Sequence, residues 1–251
     1  MPSKLTMPTA RFYCPPPLLD STRFELPRVA AHHAHRVLRL RMNDPVQVFD
    51  GSGNAFDAKI FEINAKRVVL HELQACMAEA ESLLRITLAQ AMSSSEKMDW
   101  VVQKATELGV AEIQPVQTQR SMARLTSERA GKRIAHWRSV AVAACEQCGR
   151  NALPLIHVPQ EFSAWLAETR GITCAKYILQ PDGSAALHRQ APPHGNVILL
   201  VGPEGGFSED EIKIAHLAGF IPVRLGKRVL RTETAAMAGI VALQTLWGDF
   251  N

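Results

Sequence analysis

No stretch of this 251-residue chain is apolar for long enough to cross a bilayer. Met1-Pro2-Ser3-Lys4 leads into no signal-like hydrophobic region. The expectation is a cytoplasmic protein with no membrane role. Cysteine is scarce: residues 14, 76, 145, 148 and 174 are odd in number and scattered, which suits reduced thiols. Cys145-x-x-Cys148 has no second such pair, so a four-cysteine zinc site is excluded. Three loop signatures are missing as well. There is no Gly-x-Gly-x-x-Gly dinucleotide fingerprint. There is no phosphate P-loop, which argues against a nucleotide hydrolase. There is no Gly-x-Ser-x-Gly nucleophile elbow.

What remains is a chain with room for one large or two small domains. Its 47% hydrophobic and 21% charged content is that of a globular protein with real cores. The net charge is only +4, but it is uneven. Residues 1–41 carry seven cations, among them Arg11, Arg36 and Arg39, against two carboxylates. Residues 118–138, with Arg120 at their start, carry six against one. Two basic patches on a near-neutral body suit either solvated surface or a polyanion partner, with RNA the natural candidate.

Residues 1–75 read as short strands around 23–26, 46–50, 56–60 and 67–73, with a Gly51-Ser52-Gly53-Asn54 hairpin turn. A short helix over 32–40, with Val37 and Leu40 inward, completes a small β-barrel. Its His32, His33 and His35 lack matching ligands and do not converge on one ion, so no metal is expected. Cys76 to Glu81 reads as a linker. From 77 to 251 strands alternate with helices, the pattern of an α/β domain. Leu84–Ala91 is a strand, and Ser93-Ser94-Ser95 caps a helix with Met98, Val101, Val102, Ala105 and Leu108 on one stripe. Gly109 ends that helix, and 110–116 is a strand. A longer helix from Ser127 carries Ile134, Trp137, Ala141, Cys145 and Cys148 on one face, so its Cys-x-x-Cys reads as core rather than redox chemistry. Glu146 and Arg150 stand at i,i+4 pairing distance. The runs 177–181 and 197–201 suit parallel strands buried on both faces. Residues 223–225 form the last strand, and the closing helix, Thr232 to Trp247, has Ala236, Ile240, Leu243 and Trp247 on one stripe.

Two junctions organise the rest. In the first, Leu199-Leu200-Val201 breaks into Gly202-Pro203-Glu204-Gly205-Gly206-Phe207, and Ser208 with Glu211 has capping-box spacing. In the second, Leu225-Gly226-Lys227-Arg228-Val229-Leu230-Arg231 leads into the closing helix. Both read as strand, glycine loop, helix start, and as neighbours at one sheet end. Glycines let a backbone approach a ligand closely. A carboxylate inside the first loop repels phosphates, so an uncharged or cationic ligand fits better than a nucleoside triphosphate.

These two stretches resemble the paired signatures of the 16S rRNA uridine-N3 methyltransferases (RsmE type), a branch of the SPOUT methyltransferases. Gln103-Lys104-Ala105-Thr106-Glu107-Leu108-Gly109-Val110 and Glu146-Gln147-x-x-Arg150 resemble that family's helix motifs, and the likeness covers nearly the whole chain. It implies a C-terminal trefoil-knotted α/β domain over 77–251, preceded over 1–75 by a PUA-like β-barrel that touches RNA. It implies S-adenosylmethionine held by the loops that follow the strands. Leu179 and Gln180 would act from the first loop. Val201, Gly202, Pro203, Glu204, Gly205 and Gly206 would act from the second, and Leu225, Gly226 and Leu230 from the third. It implies a homodimer acting on 16S rRNA or the assembled small subunit. The basic patches place Arg11, Arg36, Arg39 and Arg120 toward RNA, with Arg150 of the helix motif beside them, and Arg36 and Arg39, three apart on the short helix, face one phosphate track.

Uridine N3 must lose its proton before it is methylated. Arg228 or Arg231 can stabilise the resulting charge but cannot act as base. Glu204 is the acidic candidate, or else a loop cap, and Arg231 alternatively pairs with Glu233 or Glu204. Two other readings stay open: a non-catalytic RNA-binding module, and a related enzyme that methylates another rRNA base.

Overall fold

The computed structural model describes residues 9–16, 23–76, 81–122 and 127–250. The chain divides into two compact units, Met1–Glu81 with Cys145–Leu153, and Ser82–Ala144 with Pro154–Asn251. The middle segment 145–153 thus belongs with the N-terminal unit, which a linear division at 75/77 does not anticipate. The reason is a set of polar contacts described below, between groups far apart in sequence.

The first unit holds β1 (Ala10–Tyr13), β2 (Arg23–Glu25), α1 (Arg28–His32), β3 (Pro45–Phe49), β4 (Ala55–Ile63) and β5 (Val68–Cys76). They form a five-stranded sheet in the order β1-β3-β4-β5-β2, with β1 and β3 parallel and the other pairs antiparallel. Phe12, Val46, Val48, Ile60 and Leu70 fill its core. The β3–β4 hairpin falls at the expected turn, with Gly51 and Gly53 at φ 81° and 113°. Burial works to raise the Asp50 carboxyl, but hydrogen bonds from Asn54 and Ser52 hold it below the ordinary carboxylate range.

The expected helix over 32–40 is displaced. α1 ends at His32 and passes into a π-helical turn, His33–Val37. The wider turn rotates the face, so Val37 is 62% exposed rather than inward. Arg39 lies beyond the helix at φ 53°, so it does not share a helical face with Arg36. Cys76 closes β5 instead of opening a linker, and 77–80 lie outside the described residues.

The second unit contains β6 (Arg85–Ala91), α2 (Ser95–Glu107), β7 (Glu112–Gln117), α3 (Ser127–Cys148, its last turn in the first unit), β8 (Leu155–Ile156) and β9 (Gln160–Glu161). It continues with α4 (Phe162–Thr169), β10 (Ala175–Leu179), β11 (Asn196–Val201), α5 (Glu209–Leu217), β12 (Ile221–Val223) and α6 (Thr232–Trp247). The sheet order is β12-β10-β11-β6-β7-β8, with β9 also on β7, and every pair is parallel.

Both sheet faces are covered. Leu88, Tyr177 and Leu199 meet α2, α3 and α6 through Val102, Trp137 and Ile240. Their neighbours Ala89, Ile178 and Leu200 meet α4 and α5 through Phe162, Leu166 and Ala215. That is why the centres of β10 and β11 read as apolar runs: Tyr177, Ile178 and Val197 to Val201 are buried, and a fully buried Leu or Ile contributes roughly 1.5–3 kcal/mol.

Three local expectations change. Ser94 stands at the N-cap of α2 without a side-chain cap bond. The last strand runs 221–223, so Leu225 belongs to the following loop. β10 lies between β11 and β12, so the two glycine junctions are not direct neighbours. α4 was not expected from the sequence, being only eight residues long with no capping signature. Burial drives the Cys145 thiol up to about 12, which agrees with a core role. No helix among the described residues is long and apolar enough to cross a membrane.

Candidate functional site

The loops after β10, β11 and β12, with the first turn of α6, enclose a cleft of about 460 Å³. That is within the range of small-molecule sites, and the carboxyl ends of parallel strands are where such sites form in α/β sheets. Of the residues expected to hold a cofactor, Leu179, Gln180, Val201, Gly202, Pro203, Glu204, Gly206, Leu225 and Leu230 line it. Arg228 and Arg231 line it too, while Gly205 and Gly226 do not.

Each glycine of the first loop has its own cause. A Cβ on Gly202 would stand 2.9 Å from the Phe207 ring, which is buried and stacked on Phe162 at 5.4 Å. Gly206 sits at φ 68°, where an L side chain is strained. Gly205 turns away from the cleft toward Arg120, whose Nη1 donates to the Gly205 carbonyl at 2.9 Å. The loop then enters α5 through the expected capping box: Ser208 Oγ accepts from Glu211 N and Glu211 accepts from Ser208 N. Glu211 also accepts from Gln119 N at 2.7 Å, so the loop after β7 is tied to the same helix start.

A fourth glycine matters more. A Cβ on Gly183 would meet the backbone of Val223 and Arg224 at 2.7 and 2.9 Å. The β10 loop therefore passes directly against the end of β12, and Ala185 exchanges backbone bonds there with Pro222 and Arg224.

Buried polar groups set the cleft floor. Gln180 is buried in the wall, and its side-chain nitrogen has no hydrogen-bond partner. A donor in that state is poised for a ligand, because leaving it unmade is costly. Behind the wall, Gln90 Nε2 donates to Thr232 Oγ1 at 2.9 Å, and Thr232 Oγ1 donates to the Gly202 carbonyl at 2.6 Å. This relay joins β6, the start of α6 and the first glycine. Thr232→Val is expected to strand both partners and cost about 1–3 kcal/mol in urea unfolding, with Thr232→Ser close to wild type.

The charges are sorted. Glu204 accepts from Ser93 Oγ and from Lys97 Nζ, the latter at 2.9 Å. Lys97 also pairs with Glu233 at 3.3 Å. Burial works to raise the Glu204 carboxyl, but the bonds from Ser93 and Lys97 prevail and hold it below the ordinary range. Glu204 is thus ionised at neutral pH and tied by its bonds to Ser93 and Lys97, which fasten the loop. A depressed folded-state pKa stabilises above the unfolded value and is lost as pH falls through the folded one. Glu204→Gln should therefore lower the thermal midpoint at neutral pH, with the difference fading below the ordinary carboxylate range.

Lys97 occupies both acids, so Arg231 pairs with neither. Among the described residues, Arg228 and Arg231 have no ion pair or hydrogen bond from their side chains, and both are exposed at the cleft. Arg231 holds the N-cap position of α6 without using its side chain as a cap.

Two residues expected to face RNA are engaged within the first unit. Arg11 donates to Gln47 Oε1, to the Arg150 carbonyl at 2.9 Å and to Asn151 Oδ1 at 2.6 Å, and it lies over the Phe49 ring. Arg150 is 4% exposed and pairs with Glu81 at 2.7 Å. Its expected partner Glu146 instead accepts from Tyr13 N. These contacts hold 145–153 to the first unit. Arg36, Arg39 and Arg120 are exposed, Arg120 with the Gly205 bond described above.

Sequence reasoning missed Lys97, Gln90, Thr232, Phe207 and Gly183. For Gly183 a signal existed in Pro181-Asp182-Gly183, a turn tripeptide directly after a strand. For Lys97, Gln90 and Thr232 the partner is remote in sequence, and Phe207 joins its near neighbour Gly202 to the remote Phe162. No group of three or more His, Cys, Asp or Glu residues that could hold a metal occurs among the described residues.

Residues 79–244 match the model of an RNA methyltransferase domain, and residues 28–73 match that of an RNA methyltransferase PUA domain. Ribosomal RNA small subunit methyltransferase E of Buchnera aphidicola is 35% identical over 219 residues, covering 87% of this chain and 86% of the relative. A Neisseria gonorrhoeae ribosomal RNA small subunit methyltransferase E, solved with S-adenosyl methionine, aligns with a TM-score of 0.90 at 39% identity. A Legionella pneumophila methyltransferase, solved with its bound cofactor SAM, aligns at 0.91 and 36%. Each alignment covers 97% of this chain and all of the other.

Proposed function

The chain belongs to the RNA methyltransferase family whose domain it matches over 79–244, and from that premise we propose that it methylates N3 of a uridine in 16S ribosomal RNA. It is an S-adenosylmethionine-dependent enzyme with a PUA-type N-terminal unit. The observation that carries the finer reading is the cleft itself: two unpaired guanidinium groups stand at a wall with one unsatisfied buried amide.

The residues fit the cofactor. Leu179, Val201, Leu225 and Leu230 offer apolar surface, Gln180 offers a free donor, and Gly202 to Gly206 offers backbone groups. S-adenosylmethionine supplies, when bound, a methyl group on a cationic sulfur. The chain's own task is alignment and charge. The relay from Gln90 through Thr232 fixes the Gly202 carbonyl, and Lys97 with Ser93 fixes Glu204, so the pocket is preformed. Alignment of this kind is a large part of a displacement's barrier. Arg231 and Arg228 are permanent cations and donate to the uracil oxygens while N3 gives up its proton to solvent water at the open cleft mouth. Glu204, held low and occupied, stays an anchor.

Arg36 and Arg39 serve the RNA from the first unit as separate contacts, with Arg120 at the edge of the cleft loop. The β10 loop pressed against the end of β12 supports a trefoil knot. Exposed Val241 and Leu246 on α6 support a homodimer, and the ribosomal target supports a cytoplasmic location. Transfer of labelled methyl from S-adenosylmethionine to 16S rRNA, free and in assembled small subunits, tests the reading. Incorporation is expected in at least one form and is abolished by excess S-adenosylhomocysteine. No incorporation in either form would leave the RNA-binding module as the better account.

A further inference from the structure

The N-terminal half of α3 carries several cations on one helical face, with Glu128 of the first turn as its one acid in sequence. Arg129, Lys132, Arg133 and His136 stand at i, i+3, i+4 and i+7, a stripe about 10 Å long. From Arg129 to Cys145 the helix has no Asp or Glu at all. A merely solvated helix face carries both signs. Arg129 also lies in the first turn, at the positive end of the helix dipole, where a cation is unfavourable. Neighbouring cations at i,i+3 and i,i+4 repel as well. Arg129 and Lys132 therefore work against the helix that bears them, while Arg133 and His136 are drawn to Asp99 of α2.

The carboxylate facing it is Asp99 of α2, and that group is already occupied. Its Oδ2 meets His136 Nε2 at 2.9 Å and its Oδ1 accepts from Trp137 Nε1 at 3.1 Å, with Arg133 at 3.9 Å. Arg129 and Lys132 are exposed, with no side-chain ion pair or hydrogen bond among the described residues. Asp99 is two residues along α2 from Lys97, which holds Glu204 at the cleft. Two residues along a helix point to different faces, so α2 carries the cleft on one side through Lys97 and the stripe on another through Asp99, within the same unit.

Building on the proposed rRNA target, we infer that the Arg129–Lys132 face of α3 is an RNA-backbone track that holds the substrate RNA outside the cleft. Its partner is the phosphate chain, not the bases, since Arg129 and Lys132 present charge, and the nearby Trp137 ring is buried and already covered by Arg133.

The test uses the full chain, 16S rRNA and the double variant Arg129→Ala/Lys132→Ala, with Arg129→Lys/Lys132→Arg as the charge-preserving control. The salt slope of RNA binding is expected to fall by roughly 0.7–0.9 for each phosphate that the variant no longer neutralises, and the control to keep it. S-adenosylmethionine affinity should stay at the wild-type value. The thermal midpoint should hold or rise, because like charges are removed from a helix start. An unchanged salt slope in a variant that still binds RNA overturns the track. So does a loss of RNA binding that only follows a fall in thermal midpoint. Methyl transfer by the wild type, run on the same RNA, separates these outcomes from failure of the proposed reaction. A wild type that binds but transfers nothing sinks the reaction, while the slope still decides the track.

Discussion

Arg231→Ala is expected to slow single-turnover methyl transfer on the order of 10²–10³-fold, about 2.7–4 kcal/mol, by analogy with loss of one preorganised oxyanion donor. Cofactor affinity should change little. The side chain is exposed at the cleft, caps no helix, and is free of Glu204 and Glu233 because Lys97 holds both. Its removal therefore takes a donor from the developing charge without unfastening the loop. Arg231→Lys should recover only part of the rate, since an ammonium lacks the planar fork. Arg228→Ala, at the same mouth, should show a smaller effect of the same kind. A rate within a few-fold of wild type at saturating RNA would make Arg231 peripheral and leave Arg228 as the donor to examine.

Gly183→Ala is expected to damage both stability and cofactor binding. Unlike Gly202, whose added Cβ would press on a ring, Gly183 faces backbone on the β12 side at 2.7 and 2.9 Å. Backbone within a sheet cannot swing aside as a side chain can. Overpacking of this kind costs roughly 1–3 kcal/mol and moves the chain around it. The moving part is the turn that Gly183 N closes on the Gln180 carbonyl at 3.2 Å, so the free Gln180 amide moves with it. Each ~1.4 kcal/mol of forfeited ligand interaction weakens binding about tenfold. Calorimetry with S-adenosylmethionine, beside urea unfolding, reads both effects. A folded Gly183→Ala protein with wild-type affinity would show that the loop can shift without disturbing the cleft.

What the sequence made legible was local. The strand, loop and capping box from Leu199 to Glu211 follow from neighbours a few residues apart, and the structure forms that box. The buried stripes of α2 and α6 follow from helical period, and Cys145 from its place on such a stripe. What stayed hidden depends on partners elsewhere. Arg150 reads as a surface cation until Glu81, 69 positions away, meets it. Gln90 and Thr232 are 142 positions apart and show no pattern. Gly183 is required by backbone forty residues downstream. Arg36 and Arg39 look like one helical face because three residues separate them, but the π turn and a positive φ part them. Charge counted along a chain cannot tell a phosphate contact from an interior clasp, and Arg11 is the second kind.

The central claim is that this cleft delivers a methyl group to N3 of one uridine in 16S rRNA. Mass mapping of 16S rRNA, from cells with and without the protein and from cells carrying Arg231→Ala, tests it most directly. The account predicts one uridine that gains a single methyl group only with the wild-type protein, with reverse transcription blocked there because N3 lies on the pairing edge. A methyl group on a different base or on a ribose, or identical maps with and without the protein, would contradict it.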